Sequence, residues 1–135
     1  MPLEEEREQR TRSFLNNSSK MLIVDDDETI LHILKRFFDA RGYQVLAEKD
    51  GLKAFERLKM EKLAIVLTDI KIPSFSGVDL IKFIRQNMKD IPIIVMTAYP
   101  SLYSEKRNVN VVEAYFVKPF DIDEMFSSVR RILGG

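Results

Sequence analysis

The sequence predicts an α/β fold in one domain, a parallel β-sheet covered by helices on both faces. Three observations predict it. Short apolar runs of strand length alternate with helical patterns five times from Lys20 onward. The runs are continuously aliphatic, as in Met21-Leu22-Ile23-Val24 and Ala64-Ile65-Val66-Leu67, which marks strands buried on two faces. Four runs lead directly into a polar group: Asp25 and Asp26, Asp69, Thr97, and Lys118. Alternation of this kind implies right-handed crossovers, so these groups converge on one rim, where an open parallel sheet holds its ligand crevice.

The elements follow in order. After the first strand, Asp27 is placed to cap a helix carried by Ile30, Leu31, Ile33, Leu34, Phe37 and Phe38, which stops at Gly42. Tyr43 to Ala47 reads as the second strand. Ala54, Phe55 and Leu58 mark a helix entered near Asp50-Gly51, and the third strand leads into Asp69. Residues 70 to 77, with Pro73, Ser74, Ser76 and Gly77, form a loop by their turn chemistry. Val78, Leu80, Ile81 and Ile84 carry the next helix, and Ile91 to Met96 the fourth strand. Residues 101 to 112 predict a weak fourth helix, because Asn108-Val109-Asn110-Val111-Val112 are poor helix formers. Ala114 to Val117 is the fifth strand; Asp121 then caps a last helix with Ile122, Met125, Phe126, Val129 and Leu133 at helical spacing.

Residues 1–19 differ in texture, with charges from Glu4 to Arg12 followed by Asn16-Asn17-Ser18-Ser19. They are expected to be a solvated or helical extension to a domain spanning 20–135; the alternative is a partner-binding arm using Phe14 and Leu15. With 135 residues and 45% hydrophobic content, the chain supports one core. Its 21 basic and 21 acidic residues balance, which argues against direct binding of nucleic acid or an anionic membrane. The absence of cysteine excludes disulfides, thiolate metal sites and thiol nucleophiles. No apolar run is long enough to span a bilayer and the first twenty residues lack a signal-peptide core, so the expected location is cytoplasmic. His32 has no partner histidine and is expected to be a surface or packing residue.

Clustered acids repel: at about 4 Å and an effective dielectric near 20, each pair costs about 4 kcal/mol, so Asp25, Asp26 and Asp69 need cations among them. Lys118 supplies one, and a divalent ion is the natural second. An all-oxygen donor set favours Mg²⁺, with Mn²⁺ as the alternative. A carboxylate beside such a metal can attack phosphorus to form an aspartyl phosphate, with the Thr97 hydroxyl and the Lys118 ammonium each compensating a phosphoryl oxygen.

Ile23-Val24-Asp25-Asp26-Asp27, Leu67-Thr68-Asp69-Ile70-Lys71-Ile72-Pro73 with Gly77, Met96-Thr97-Ala98 and Tyr115-Phe116-Val117-Lys118-Pro119-Phe120 together resemble the receiver domain of two-component response regulators. The resemblance covers nearly everything after residue 19. It implies a three-layer flavodoxin-like (βα)5 fold with strand order 2-1-3-4-5, an order for which this family is a standing example. It implies that Asp69 is the phosphoacceptor and also a metal ligand, that Asp26 binds Mg²⁺ directly and Asp25 through water, and that the Lys71 backbone carbonyl completes the metal site. It further implies that Thr97 and Lys118 contact the phosphoryl oxygens, that Lys118-Pro119 is a cis peptide, and that Tyr115 is an aromatic switch coupled to Thr97. Lys71 and Tyr99 resemble the family's variable rim residues that tune phosphate lifetime; the alternative is a pair of solvated side chains. The implied partner is a sensor histidine kinase or phosphotransfer protein, with homodimerisation through the fourth helix, fifth strand and last helix as an option. In that face the sequence departs from the family, since Asn108 to Val112 replace the usual Ala/Gly-rich turn before the last strand.

Such a protein is a signalling switch that catalyses its own phosphorylation and dephosphorylation, not a turnover enzyme. Two alternatives compete with it. Asp25-Asp26-Asp27-Glu28-Thr29 also fits the D-x-D-x-T start of haloacid-dehalogenase-like phosphatases, with Asp25 as nucleophile, although that role leaves Asp69 without a purpose. A receiver-like interaction module that is never phosphorylated is the other.

Overall fold

Five apolar runs become five parallel strands in a computed structural model that describes residues 20–100 and 112–134. They are β1 (Lys20–Val24), β2 (Val45–Glu48), β3 (Leu63–Thr68), β4 (Ile93–Thr97) and β5 (Ala114–Val117), in the order β2-β1-β3-β4-β5. Four helices are described: α1 (Glu28–Asp39), α2 (Gly51–Met60), α3 (Gly77–Asn87) and α4 (Ile122–Ile132). The sequence-predicted extension at 1–19 and all but the last residue of the weak helix at 101–112 lie outside the described residues.

The aliphatic runs are continuous because each central strand feeds two cores. Leu22, Val24, Val66 and Val95 face one side with Ala54 and Leu58 of α2 and Leu80, Ile81 and Ile84 of α3. Met21, Ile23, Ile65, Leu67, Ile94 and Met96 face the other, with Leu34 and Phe38 of α1 and Met125 and Val129 of α4. Successive side chains of a strand point to opposite faces, so a strand covered twice must be apolar at every position. The edge strand β5 departs from this, alternating half-buried Ala114 and Phe116 with exposed Tyr115 and Val117.

Three helix starts match the sequence reading, and the α3 start, expected after Gly77, falls at Gly77 itself. Asp27, Asp50 and Asp121 each accept two backbone N–H groups of the first turn, and Ser76 caps α3 through the Asp79 amide. After α1, Gly42 takes φ 89°, a left-handed turn that lets Tyr43 N–H return to the Phe38 carbonyl at 3.1 Å. Three expectations shift. The fourth strand starts at Ile93, two residues after the expected Ile91, since Pro92 has no N–H to give the ladder. The second strand runs two residues later at its start than Tyr43, whose buried ring instead packs edge-on against Phe38 and Phe126. Ile33, expected on the core face of α1, is 52% exposed, because the stripe that packs centres on Leu34 and Phe38.

Candidate functional site

The site sits where the strand order reverses. From β1 the chain steps outward to β2, then crosses back to β3, so β1 and β3 are neighbours whose carboxyl ends open a crevice. Val24 pairs with Thr68 in register, and the ladder continues through the Asp69 N–H, which donates to the Val24 carbonyl at 2.9 Å. The residues after the two strands are therefore brought side by side. Carboxylate oxygens of Asp25, Asp26 and Asp69 all lie within 4.8 Å of one another. Asp25 is fully buried and Asp69 nearly so, while Asp26 is exposed at the mouth. Asp27, next in the chain, turns away to cap α1, as expected.

The cation arrives from the far side of the sheet. Lys118 N–H donates to the Thr97 carbonyl at 2.8 Å, extending the β4–β5 ladder by one step and setting the lysine at the same rim. Its Nζ donates to Asp25 Oδ2 and to Asp69 Oδ2, both at 2.6 Å. Burial pushes the Asp25 carboxyl above its ordinary range, against the opposing pull of the Lys118 hydrogen bond and the Asp27 N–H. Burial alone would lower the Lys118 ammonium; its bonds to the two carboxylates outweigh that and raise it. The ammonium is thus held charged between two acids. The Lys118–Pro119 peptide is cis, as the resemblance implied.

The remaining residues complete the rim. Asp69 Oδ1 accepts from the backbone N–H groups of Ile70 at 2.6 Å and Lys71 at 3.3 Å. Thr97 is fully buried, and its hydroxyl accepts from Tyr99 N–H at 2.9 Å. The exposed Lys71 places its ammonium 4.8 Å from the centre of the Tyr99 ring, a cation–π contact across the mouth that sequence reading did not foresee. Tyr115 lies on the exposed face of β5, in register with Val95. His32 is exposed on α1.

Sequence reading also missed why Gly77 is needed. Its N–H donates to the Ile70 carbonyl at 2.9 Å, and a Cβ added there would fall 2.0 Å from the Asp69 carbonyl oxygen. Only glycine lets α3 begin this close to the backbone of Asp69. A glycine eight residues after a strand-end acid was the available signal, and turn propensity alone had explained it.

The donor set fits a hard divalent cation, because three oxygen-bearing acids converge with neither imidazole nor sulfur among them. The family model of the response regulator receiver domain matches residues 21–130. The chain belongs to this family. Relatives of this receiver domain include the sporulation initiation phosphotransferase F of Bacillus subtilis, 36% identical over 118 residues, covering 86% of this chain and 94% of the relative. The alkaline phosphatase synthesis transcriptional regulatory protein PhoP of the same organism is 29% identical over 117 residues, but this chain spans only 49% of its length. Among solved structures, a CheY-like response regulator receiver domain protein from Methanospirillum hungatei superposes with a TM-score of 0.81 at 26% identity, covering 87% of this chain and 94% of that one. The response regulator TrrA of Thermotoga maritima, solved in complex with Mg²⁺-BeF, gives 0.73 at 30% identity over 84% of this chain and 98% of its own.

The chain is therefore a receiver domain of two-component signalling, a switch of a family whose members work with histidine kinases or phosphotransfer proteins. The haloacid-dehalogenase-like alternative finds no support in these relatives. Its proposed nucleophile, Asp25, is fully buried with its two oxygens engaged by Asp27 N–H and Lys118. Among the described residues no helix is long and apolar enough to cross a membrane.

Proposed function

We propose that Asp69 accepts a phosphoryl group from the phosphohistidine of a sensor kinase or phosphotransfer protein, and that the added charge switches an output surface. The observation that carries this reading is the Lys118 ammonium held against Asp69 beside an acidic trio. A carboxylate oxygen of Asp69 bonds to phosphorus as the donor's N–P bond breaks, and the bonding pair stays on the imidazole. The Lys118 ammonium and the Thr97 hydroxyl then stabilise the phosphoryl oxygens. Asp26 and Asp69 directly, Asp25 through water and the Lys71 carbonyl would hold Mg²⁺, or Mn²⁺ in its place. When bound, the ion supplies positive charge to the phosphoryl oxygens. Hydrolysis later cleaves the acyl phosphate with water, returning the Asp69 carboxylate and inorganic phosphate.

Thr97 is the coupling residue in this scheme. Turning its hydroxyl toward a phosphoryl oxygen breaks the Tyr99 N–H bond and opens room into which Tyr115 rotates from its exposed position. The β5 and α4 surface changes with it and serves as the output face, including any homodimer. The switching unit is taken as residues 20–135, working in the cytoplasm, with 1–19 outside it. Beryllofluoride, which mimics the phosphoryl group, tests the scheme by NMR. With Mg²⁺ it should shift the amides of Asp69, Thr97 and Lys118 and the ring of Tyr115, and Asp69→Asn should abolish all these shifts. An identical response from the Asp69→Asn protein contradicts the proposal.

A further inference from the structure

The loop that carries Asp69 is also tied down at its far end. Ser74, at the tip, has φ 69° and is the one non-glycine residue with positive φ among the described residues. Glycine would reach this conformation freely, so serine persists there only where its surroundings over-determine it. The side chain supplies the reason. Ser74 Oγ lies 2.9 Å from Asp50 Oδ1 and 2.7 Å from the Pro73 carbonyl, and it accepts from Leu52 N–H at 3.2 Å. Its single proton serves one acceptor at a time, and the charged carboxylate is the stronger. Asp50 is the N-cap of α2, so the loop tip is anchored on a helix start 24 residues away.

Two backbone features tighten the joint. Gly51 N–H donates to the Pro73 carbonyl at 2.9 Å, and a Cβ on Gly51 would fall 1.7 Å from the Phe75 carbonyl oxygen, so α2 and the loop meet with no space between them. The Phe75 ring then packs 4.9 Å from Phe55 of α2. At the loop's near end, Ile70 and Lys71 N–H groups hold the Asp69 carboxylate. The Lys71 carbonyl follows the near anchor in the chain and precedes the far one at Ser74.

We infer that Asp50 and Ser74 are positioning residues: their hydrogen bond latches the 70–77 loop onto α2 and thereby fixes the Lys71 carbonyl and the Asp69 carboxylate for divalent-cation binding. This rests on the proposed metal site. Ser74→Ala and Ser74→Gly remove the hydroxyl and leave Asp50 capping Leu52 and Lys53; the glycine variant also relieves the backbone. Both should weaken Mg²⁺ binding to the unphosphorylated protein, by titration calorimetry, about threefold to tenfold, the worth of one ordinary hydrogen bond. Amides of residues 70–77 should exchange faster in both, and Asp50→Asn, which keeps an acceptor oxygen, should bind Mg²⁺ more tightly than Asp50→Ala. The Asp50→Ala, Ser74→Ala double variant should bind no more weakly than Asp50→Ala alone.

Mg²⁺ affinity and loop exchange equal to wild type in Ser74→Gly overturn the latch, as does full additivity in the double variant. A wild-type protein that binds Mg²⁺ but never gains a phosphoryl group contradicts the assignment of Asp69 instead, and the latch is still decided by the binding data. A wild type that binds no Mg²⁺ overturns both.

Discussion

The Nζ atom of Lys118 stands 2.6 Å from Asp69 Oδ2, joining residues 49 positions apart at the ends of β5 and β3, with β4 between them. The same atom holds Asp25 at the same distance, so one ammonium compensates two buried carboxylates. Exposed ion pairs contribute little, but removing one partner of a buried pair leaves an uncompensated charge.

Lys118→Met should therefore destabilise the metal-free protein by about 3 kcal/mol, measured by urea unfolding. Added Mg²⁺ should recover part of that loss, since it binds the native acids and not the unfolded chain. Phosphorylation from acetyl phosphate should slow by about a hundredfold or more, because a donor aimed at the phosphoryl oxygens is gone.

Asp25 makes the pH dependence of stability distinctive. Its carboxyl is raised in the folded protein, chiefly by burial. Between its ordinary value of 3.8 and the raised one, the native state binds more protons than the unfolded state, so this contribution to stability is present below 3.8 and lost as pH rises through the folded value. Asp25→Asn does not titrate. Without Mg²⁺, its stability relative to wild type should climb as pH rises from the acid range toward neutrality, and a constant difference contradicts the burial account. Lys118 behaves with the same sign at the alkaline end, its contribution being lost only above 10.5.

Gly77→Ala places a Cβ against the Asp69 carbonyl, a backbone atom that cannot swing aside. The expected cost is about 3 kcal/mol in unfolding free energy. Because the clash moves the acceptor residue, phosphorylation should be impaired even at temperatures where the variant is fully folded.

Asp27→Ala separates capping from ligation. Asp27 Oδ1 accepts from Thr29 N–H at 3.0 Å and Ile30 N–H at 3.3 Å, the geometry of an N-cap. Its removal should cost about 1 kcal/mol of stability and leave Mg²⁺ affinity unchanged. A large loss of affinity would make it part of the metal site.

Much of the fold was legible because a doubly covered strand must be aliphatic throughout, and β1, β3 and β4 are. Strand-end position then carried the convergence of Asp25, Asp69, Thr97 and Lys118 without any knowledge of their distances. β2 was displaced because Tyr43 satisfies a strand pattern while its ring serves the aromatic cluster of Phe38 and Phe126. Glu48 joins that strand although polar, its carboxylate paired with Arg57 of α2. Contacts between loops left no periodic signal: the Asp50–Ser74 bond, the Lys71–Tyr99 contact and the approach of Gly77 to Asp69 each depend on backbone placement that composition does not encode.

Intact-mass analysis after incubation with acetyl phosphate and Mg²⁺ tests the central claim most directly. Wild-type protein should gain the mass of one phosphoryl group, and Asp69→Asn should gain none under the same conditions. A folded wild type that stays unmodified, or an Asp69→Asn protein modified to the same extent, contradicts the account.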